Sequence, residues 1–286
     1  MGQMLVTDSR RPRHRTEGEW MGINIIVCVK QVMDPETPAS AFKVDTDAKK
    51  VIPAQGIPPV VNGFDENAVE AALRLKDSSE VDKITVISVG NNFVMDVMKK
   101  PLSMGADELI LVQDDAVSEL DAFATANTLA KAIEKIGEYD LILCGRQASD
   151  WDQAHVPLGV AELLGLPCIT LAQKVELADG GISVHRSLTD GYEVVESQLP
   201  AVVTVTNELG EPRYPNLRGI MQASRKTPIV WSSADLGLDA EDLAPKLTLT
   251  ELFIPVSDKQ VEIIEGEDEA DAGRKLALRL REEKLI

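Results

Sequence analysis

The chain has 286 residues, 44% hydrophobic and 27% charged, enough for one large α/β domain with appendages and a substantial buried core. Its net charge of −18, from 29 Lys and Arg against 47 Asp and Glu, repels phosphate backbones and anionic lipid, so nucleic acid and membrane surfaces are set aside as partners. No stretch approaches the roughly 20 apolar residues of a membrane span, and Cys28, Cys144 and Cys168 lack CxxC spacing. They read as reduced thiols of a cytoplasmic protein.

Residues 1–22 are basic and polar, lack an apolar h-region and contain a second Met at Met21, so they read as an unstructured extension. "INIIVCVK" from Ile23 is a continuous apolar run of strand length, the pattern of a strand buried on both faces. Residues 31–59, rich in Pro, Asp and Ala, form an excursion with "FKVD" and "KKVIP" as short strands of a hairpin. "DENAVEAALRLKD" is an amphipathic helix: Asp65 stands at a capping position and Ala68, Val69, Ala72 and Leu73 share a face. "KITVISVG" is a second strand, a helix follows over about 92–104, "ELILVQ" is a third strand, and an Ala-rich helix over 119–136 leads to a fourth, "YDLILCG".

The connection that follows, "GRQASDWDQAHV", is longer than the roughly 2 to 6 residues usual between strand and helix, and loops of that excess length are commonly functional. Pro157 suits a first helical turn and puts the next helix start near it. "PCITLA" is a fifth strand. Strands alternating with helices imply right-handed crossovers and a mainly parallel, doubly wound sheet. Over 173–206 the pattern turns to polar–apolar alternation broken at "DGG" and "TDG", the signal of an antiparallel hairpin extension. A Pro-rich loop, a short helix and a linker lead to a final helix over about 268–284, on which Ala272, Leu276 and Leu280 separate from Arg274, Lys275 and Arg279.

In open α/β sheets ligands bind beyond the carboxyl ends of the strands. The candidate rim is "VKQVMDP", "VVNGFDEN", "VGNN" and the long loop. No segment matches GxxxxGK[ST] or GxGxxG, which sets aside a Walker ATPase and a standard Rossmann dinucleotide site. Ser149, Asp150 and Asp152 are suited to accepting backbone N–H groups or to plain loop capping, and Gln147 and Gln153 offer amide edges to ribose or adenine. Asp150, Asp152 and His155 lack a Ser or Cys nucleophile in motif context, so no catalytic residue is assigned.

Several segments together, "CVKQVMD", "VNGFDENAVEAALRLK", "MGADELILV", "LCGRQASDWDQ", "AELLGLP" and "NELGEPRYPNLRGIMQASRK", resemble the β subunit of electron transfer flavoprotein, in order from Ile23 to Lys226. The resemblance implies an adenine nucleotide α-hydrolase-like fold over residues 23–226, with a recognition loop at 207–226, and a C-terminal part, 227–286, that packs on an α subunit. It implies an electron carrier rather than an enzyme with its own catalytic residues. The α subunit holds the FAD that moves electrons from acyl-CoA-type dehydrogenases toward a quinone reductase, and the β subunit holds AMP. In the electron-bifurcating, NADH-dependent branch a second FAD takes the place of AMP. A stand-alone adenine-nucleotide-binding protein of the same fold is a further alternative.

Carried over by position, the resemblance puts the adenine at Cys28, Val29 and Lys30, with Asn62 and Phe64 nearby and Val89, Gly90 and Asn91 close to phosphate. Gly145, Gln147, Ala148, Ser149, Asp150, Asp152, Gln153, Ala154, His155 and Val156 then surround ribose and phosphate. One departure is "AHVP" at 154–157, where the family often has Gln-Thr-Gly or Gln-Val-Gly; Pro157 removes one backbone donor. In the recognition loop the resemblance gives Arg213, Tyr214, Leu217, Ile220 and Met221 to a partner dehydrogenase. Leu217, Ile220 and Met221 stand at i, i+3, i+4 flanked by Arg213, Arg218, Arg225 and Lys226, a presented apolar anchor with a basic rim.

Overall fold

The computed structural model of the chain describes residues 22–78, 81–178, 180–256 and 261–286; apart from Gly22, the expected N-terminal extension lies outside them. The strands, in chain order, are β1 (Ile23–Cys28), β2 (Gln31–Val32), β3 (Lys43–Asp45), β4 (Lys50–Ile52), β5 (Val60–Val61), β6 (Val81–Val89) and β7 (Glu108–Val112). They continue with β8 (Leu141–Gly145), β9 (Cys168–Ala178), β10 (Gly181–Leu188), β11 (Gly191–Gln198), β12 (Ala201–Val205) and β13 (Ile229–Trp231). The α-helices are α1 (Gly63–Ser78), α2 (Met95–Met98), α3 (Lys100–Met104), α4 (Ala122–Ile136), α5 (His155–Leu164), α6 (Leu217–Arg225) and α7 (Glu269–Glu282).

Nine strands form one sheet in the order β11-β10-β9-β12-β8-β1-β6-β7-β13. Pairings from β9 through β12, β8, β1, β6 and β7 to β13 are parallel, and the β9–β10 and β10–β11 pairings are antiparallel. The apolar runs read from the sequence are the buried strands: every residue of β8 and of β12 is buried, and Ile25, Ile26 and Val27 of β1 are nearly so. Odd residues of β1 (Ile25, Val27) pack with Ala68, Ala72 and Leu75 of α1, and with Met98 and Leu102. Even residues (Ile26, Cys28) pack with Leu129 and Ile133 of α4 and Val160 of α5 on the other face. Helices therefore cover both faces, and the sheet is doubly wound, as expected.

From β1 the chain builds outward through β6 and β7, then returns to place β8 on the opposite side of β1. The switch point lies between β1 and β8, and a crevice opens beyond their carboxyl ends because the connecting helices leave in opposite directions.

Four local expectations shift. The segment expected as one helix over 92–104 is two, α2 and α3, because Pro101 in the first turn of α3 lacks the N–H that would continue the ladder. Helix α4 starts at Ala122 rather than near 119, since the Asp121 carboxylate accepts the Ala124 N–H (2.8 Å) and caps it there. Helix α5 starts at His155, two residues before Pro157, whose ring is tolerated where no ladder bond is yet due. Finally, "AVVTV" does not extend the antiparallel part: as β12 it enters the parallel sheet between β8 and β9. Its alternation-free, fully buried sequence fits that position better.

By compactness the chain divides into two units, Met1–Lys43 with Val51–Thr250, and Val44–Lys50 with Glu251–Ile286. In the second, α7 is capped by Asp268, whose side chain accepts the Asp271 N–H, and Arg279 pairs with Glu262 (2.9 Å). No residue of α7 is buried.

Leu143 is fully buried in β8, flanked by β12 and β1. Leu143→Ala is expected to cost about 2–5 kcal/mol, read as a lowered denaturation midpoint in urea followed by circular dichroism.

Candidate functional site

The crevice is built around Asp65. Its carboxylate, on a residue only 7% exposed, accepts the backbone N–H of Lys30 at the end of β1 (2.7 Å) and of Gly145 at the end of β8 (3.1 Å). One side chain at the start of α1 thus clasps both switch-point strands. Gly145 has to be glycine: a Cβ there would lie 2.7 Å from the Phe64 carbonyl carbon and 2.8 Å from the Asp65 nitrogen. Burial pushes the Asp65 carboxyl up to about 7, against the opposing pull of Asn62, the two N–H groups and the Lys30 charge.

Asn62, completely buried, shapes the long loop from beneath. Its Nδ2 donates to the Gln147 carbonyl (2.8 Å) and its Oδ1 accepts the Ser149 N–H (3.1 Å). The Lys30 Nζ reaches across to Asp150 (2.7 Å), and the Gln147 Nε2 donates to Asp152 (2.6 Å). Asp152 and Ala154 both take positive φ, 50° and 56°, a strained choice for residues with a Cβ that tertiary contacts must enforce. Beyond them α5 begins with no side-chain cap, so the N–H groups of its first turn face the loop; Pro157 supplies none. His155 and Gln153 are exposed, and Ala148 and Val156 are half-buried.

On the far flank, Gln31 ties the strand ends: it accepts the Val94 N–H (2.8 Å) and donates to the Asn92 carbonyl (3.3 Å). Val89, Gly90 and Asn91 close this side, with the Phe93 ring against Gly90 and the Gly90 N–H donated to Val112 (3.0 Å). Below the rim, Cys28 and Cys144 are register partners on β1 and β8. Both are buried free thiols, and contact with the Cys28 thiol, together with burial, pushes the Cys144 thiol well up. Of the rim residues expected from the sequence, hydrogen bonds bring Lys30, Asn62, Gly145, Gln147, Ser149, Asp150 and Asp152 together around Asp65. Two residues of the same rim segments that were given no site role of their own join them: Asp65, read as a helix cap, and Arg146, whose guanidinium lies 4.7 Å over the Phe64 ring.

Residues 207–226 form a separate surface. Helix α6 is capped by Asn216, which accepts the Gly219 N–H (2.8 Å), and it rests on α3 where Gly219 meets the Ser103 carbonyl with no room for a Cβ. Lys226 Nζ donates to the Ala106 and Asp107 carbonyls and pins the end of α6. Tyr214 is 93% and Leu217 74% exposed, and Ile220 and Met221 are half exposed. Arg213 turns the other way. Its guanidinium and N–H bind the buried Glu70 carboxylate, with a further contact to Asp77 (2.8 Å). Burial opposes the Glu70 charge, but Arg213 and Arg74 outweigh it and hold the carboxyl below its usual range. In this geometry Arg213 anchors the loop to α1.

Residues 50–236 match the electron transfer flavoprotein domain family, a stretch that takes in Asp65, Gly145, the long loop and α6. The β subunit of electron transfer flavoprotein from Thermoanaerobacterium thermosaccharolyticum is 38% identical over 85% of this chain and 93% of its own length. This chain belongs to the electron transfer flavoprotein β-subunit family. The Megasphaera elsdenii β subunit is 40% identical over 71% of this chain and 76% of its own length. A caffeyl-CoA reductase–Etf complex subunit, CarD, from Acetobacterium woodii is 35% identical over 92% of this chain and its full length. Among the described residues no helix is long and apolar enough to cross a membrane.

For this electron transfer flavoprotein β-family chain the Asp65 clasp has a measurable signature. A carboxyl whose folded pKa, about 7, lies above its unfolded value near 3.8 favours folding at low pH and loses that contribution as pH rises toward 7. The unfolding free energy of wild type minus that of Asp65→Asn is therefore expected to fall between about pH 4 and 7 and to level off above. A difference flat across that range would remove the buried titration.

Proposed function

We propose that this chain is the β subunit of a heterodimeric electron transfer flavoprotein, holding an adenine nucleotide in the β1–β8 crevice and docking both an α subunit and a partner dehydrogenase. The observation that carries this reading is the polar loop at 146–154, shaped from below by Asn62 and Asp65 and ending on the uncapped start of α5. Ordering so polar a loop costs conformational entropy that packing alone does not offset, and its groups suit ribose and phosphate. In this reading Cys28, Val29 and Lys30 border the adenine, while His155 and Val156 offer helix N-terminal amides to phosphate. Gln153 and Ser149 line the ribose. The FAD, bound mainly by the α subunit, supplies the electron-carrying chemistry.

Helix α6 presents Leu217, Ile220 and Met221, and the loop before it Tyr214, with Arg218 and Arg225 beside them. That arrangement suits an acidic surface with an apolar socket, as an acyl-CoA-type dehydrogenase would need to provide. Residues 227–286 are assigned to the α subunit: Phe253, Ile254 and Val256, and then Val261 and Ile263, are exposed in two described stretches without regular structure. Exposed apolar side chains grouped in this way suit an interface.

A second reading, in which the β site holds its own FAD in an NADH-dependent, electron-bifurcating complex, is favoured by the full-length likeness to the caffeyl-CoA reductase–Etf complex subunit. Nucleotide released from the purified heterodimer and weighed by mass spectrometry separates the two. One FAD with one AMP supports the first, two FAD the second, and a single FAD with no further nucleotide defeats both.

Leu217→Ala is expected to slow electron transfer from the cognate dehydrogenase by about 10-fold or more while the heterodimer stays intact. Unchanged rates with every candidate dehydrogenase would remove α6 from the docking surface.

A further inference from the structure

Three charged side chains stand in the loop between β8 and α5: Arg146, Asp150 and Asp152. Both acids are engaged inside the protein, Asp150 with Lys30 and Asp152 with Gln147. Arg146 is not. Its Nε is buried and without a hydrogen-bond partner, and none of its guanidinium donors finds an acceptor among the described residues. Glu208 lies within its field, but no salt bridge joins them among the described residues.

The guanidinium is nevertheless held in place. The Arg146 N–H is donated to the Val205 carbonyl (2.9 Å), which continues the β8–β12 ladder one residue past the strand. Its charged end lies over the face of Phe64, the residue that precedes the Asp65 clasp. A half-buried cation with its polar neighbours already paired elsewhere, and fixed by an aromatic plane, is poised to receive an acceptor from outside the chain. Planar, forked donors match phosphate oxygens, and the loop that begins at Arg146 is the one that borders the crevice.

Resting on the nucleotide site proposed above, we infer that Arg146 is a phosphate-binding and specificity-determining residue of that site, positioned by Phe64. It favours a phosphorylated adenine nucleotide over the bare nucleoside. AMP and FAD both carry the required anionic oxygens, one as a monophosphate and the other as a pyrophosphate. The Lys30–Asp150 pair and the Gln147–Asp152 hydrogen bond keep the two acids of the loop from competing with the incoming phosphate for the same cation.

The test uses the heterodimer depleted of its nucleotide, titrated separately with AMP, FAD and adenosine. Arg146→Gln is expected to weaken AMP by roughly 10- to 100-fold, the loss of one or two charge-assisted hydrogen bonds, and to leave adenosine within about 2-fold. FAD, should it be the natural ligand, is expected to weaken by a comparable factor, while AMP then binds only weakly to both proteins. Arg146→Lys keeps the charge without the fork and is expected to fall between wild type and Arg146→Gln, which guards against a variant that merely misfolds. Equal weakening of adenosine and AMP would assign Arg146 to the shape of the loop instead, and overturns the inference. So do unchanged Kd values in both variants. A wild type that binds neither AMP nor FAD overturns the nucleotide site itself, and the role of Arg146 with it.

Discussion

The Asp65 carboxylate, shared between the amide of Lys30 and the amide of Gly145, is the contact on which the crevice depends. Parallel strands that diverge at a switch point expose unpaired amides just where their ladders end, and these need acceptors if water is kept out. Asp65 supplies one for each strand from the first turn of α1, where the helix dipole also favours a negative charge. The arrangement leaves no space for a side chain at position 145, so the glycine, the acid and the two strand ends form one unit. Its cost is desolvation, visible in the raised titration of the carboxyl.

Everything above the clasp is shaped loop. Asn62 spans Gln147 and Ser149, Lys30 spans to Asp150, and two residues with side chains, Asp152 and Ala154, are held at positive φ. Strain of this sort persists only where the surroundings over-determine the backbone, and here it turns the chain so that the first amides of α5 face inward. With α5 starting at His155, the amides of His155 and Val156 remain, and the proline removes a single donor one position further along.

The second surface is held by charge. An acidic chain concentrates Arg218, Arg225 and exposed apolar side chains on α6, while Arg213 turns inward to the buried Glu70 and pins the loop's base. Breaking such a pair would leave a carboxylate stranded in a desolvated position, with Arg74 as its remaining cation. Anchoring below and presentation above are thus divided between residues that look equivalent in the sequence. Gly219 in the first turn of the helix and Lys226 after its last bring α6 down onto α3 and the turn after it.

The alternation of apolar runs with amphipathic helices determined, by itself, a doubly wound parallel sheet, because strands with no polar face have to be covered on both sides. It also determined the polar loop after β8, whose length exceeds what a connection requires, and the apolar spacing on α6. What periodicity carries no record of is pairing order. That β12 enters between β8 and β9 depends on which edge was still open, a property of the assembled sheet. The split of the helix at Pro101 and the capped start of α4 at Asp121 were legible in principle, since each follows from one residue's chemistry. The roles of Asp65, Arg146 and Arg213 were not: each acts on partners 35 to 143 positions away or stands free of them, and only tertiary structure decides whether an acid caps its own helix or clasps two strands. A charge's meaning lies in its neighbours, and the neighbours are set by the fold.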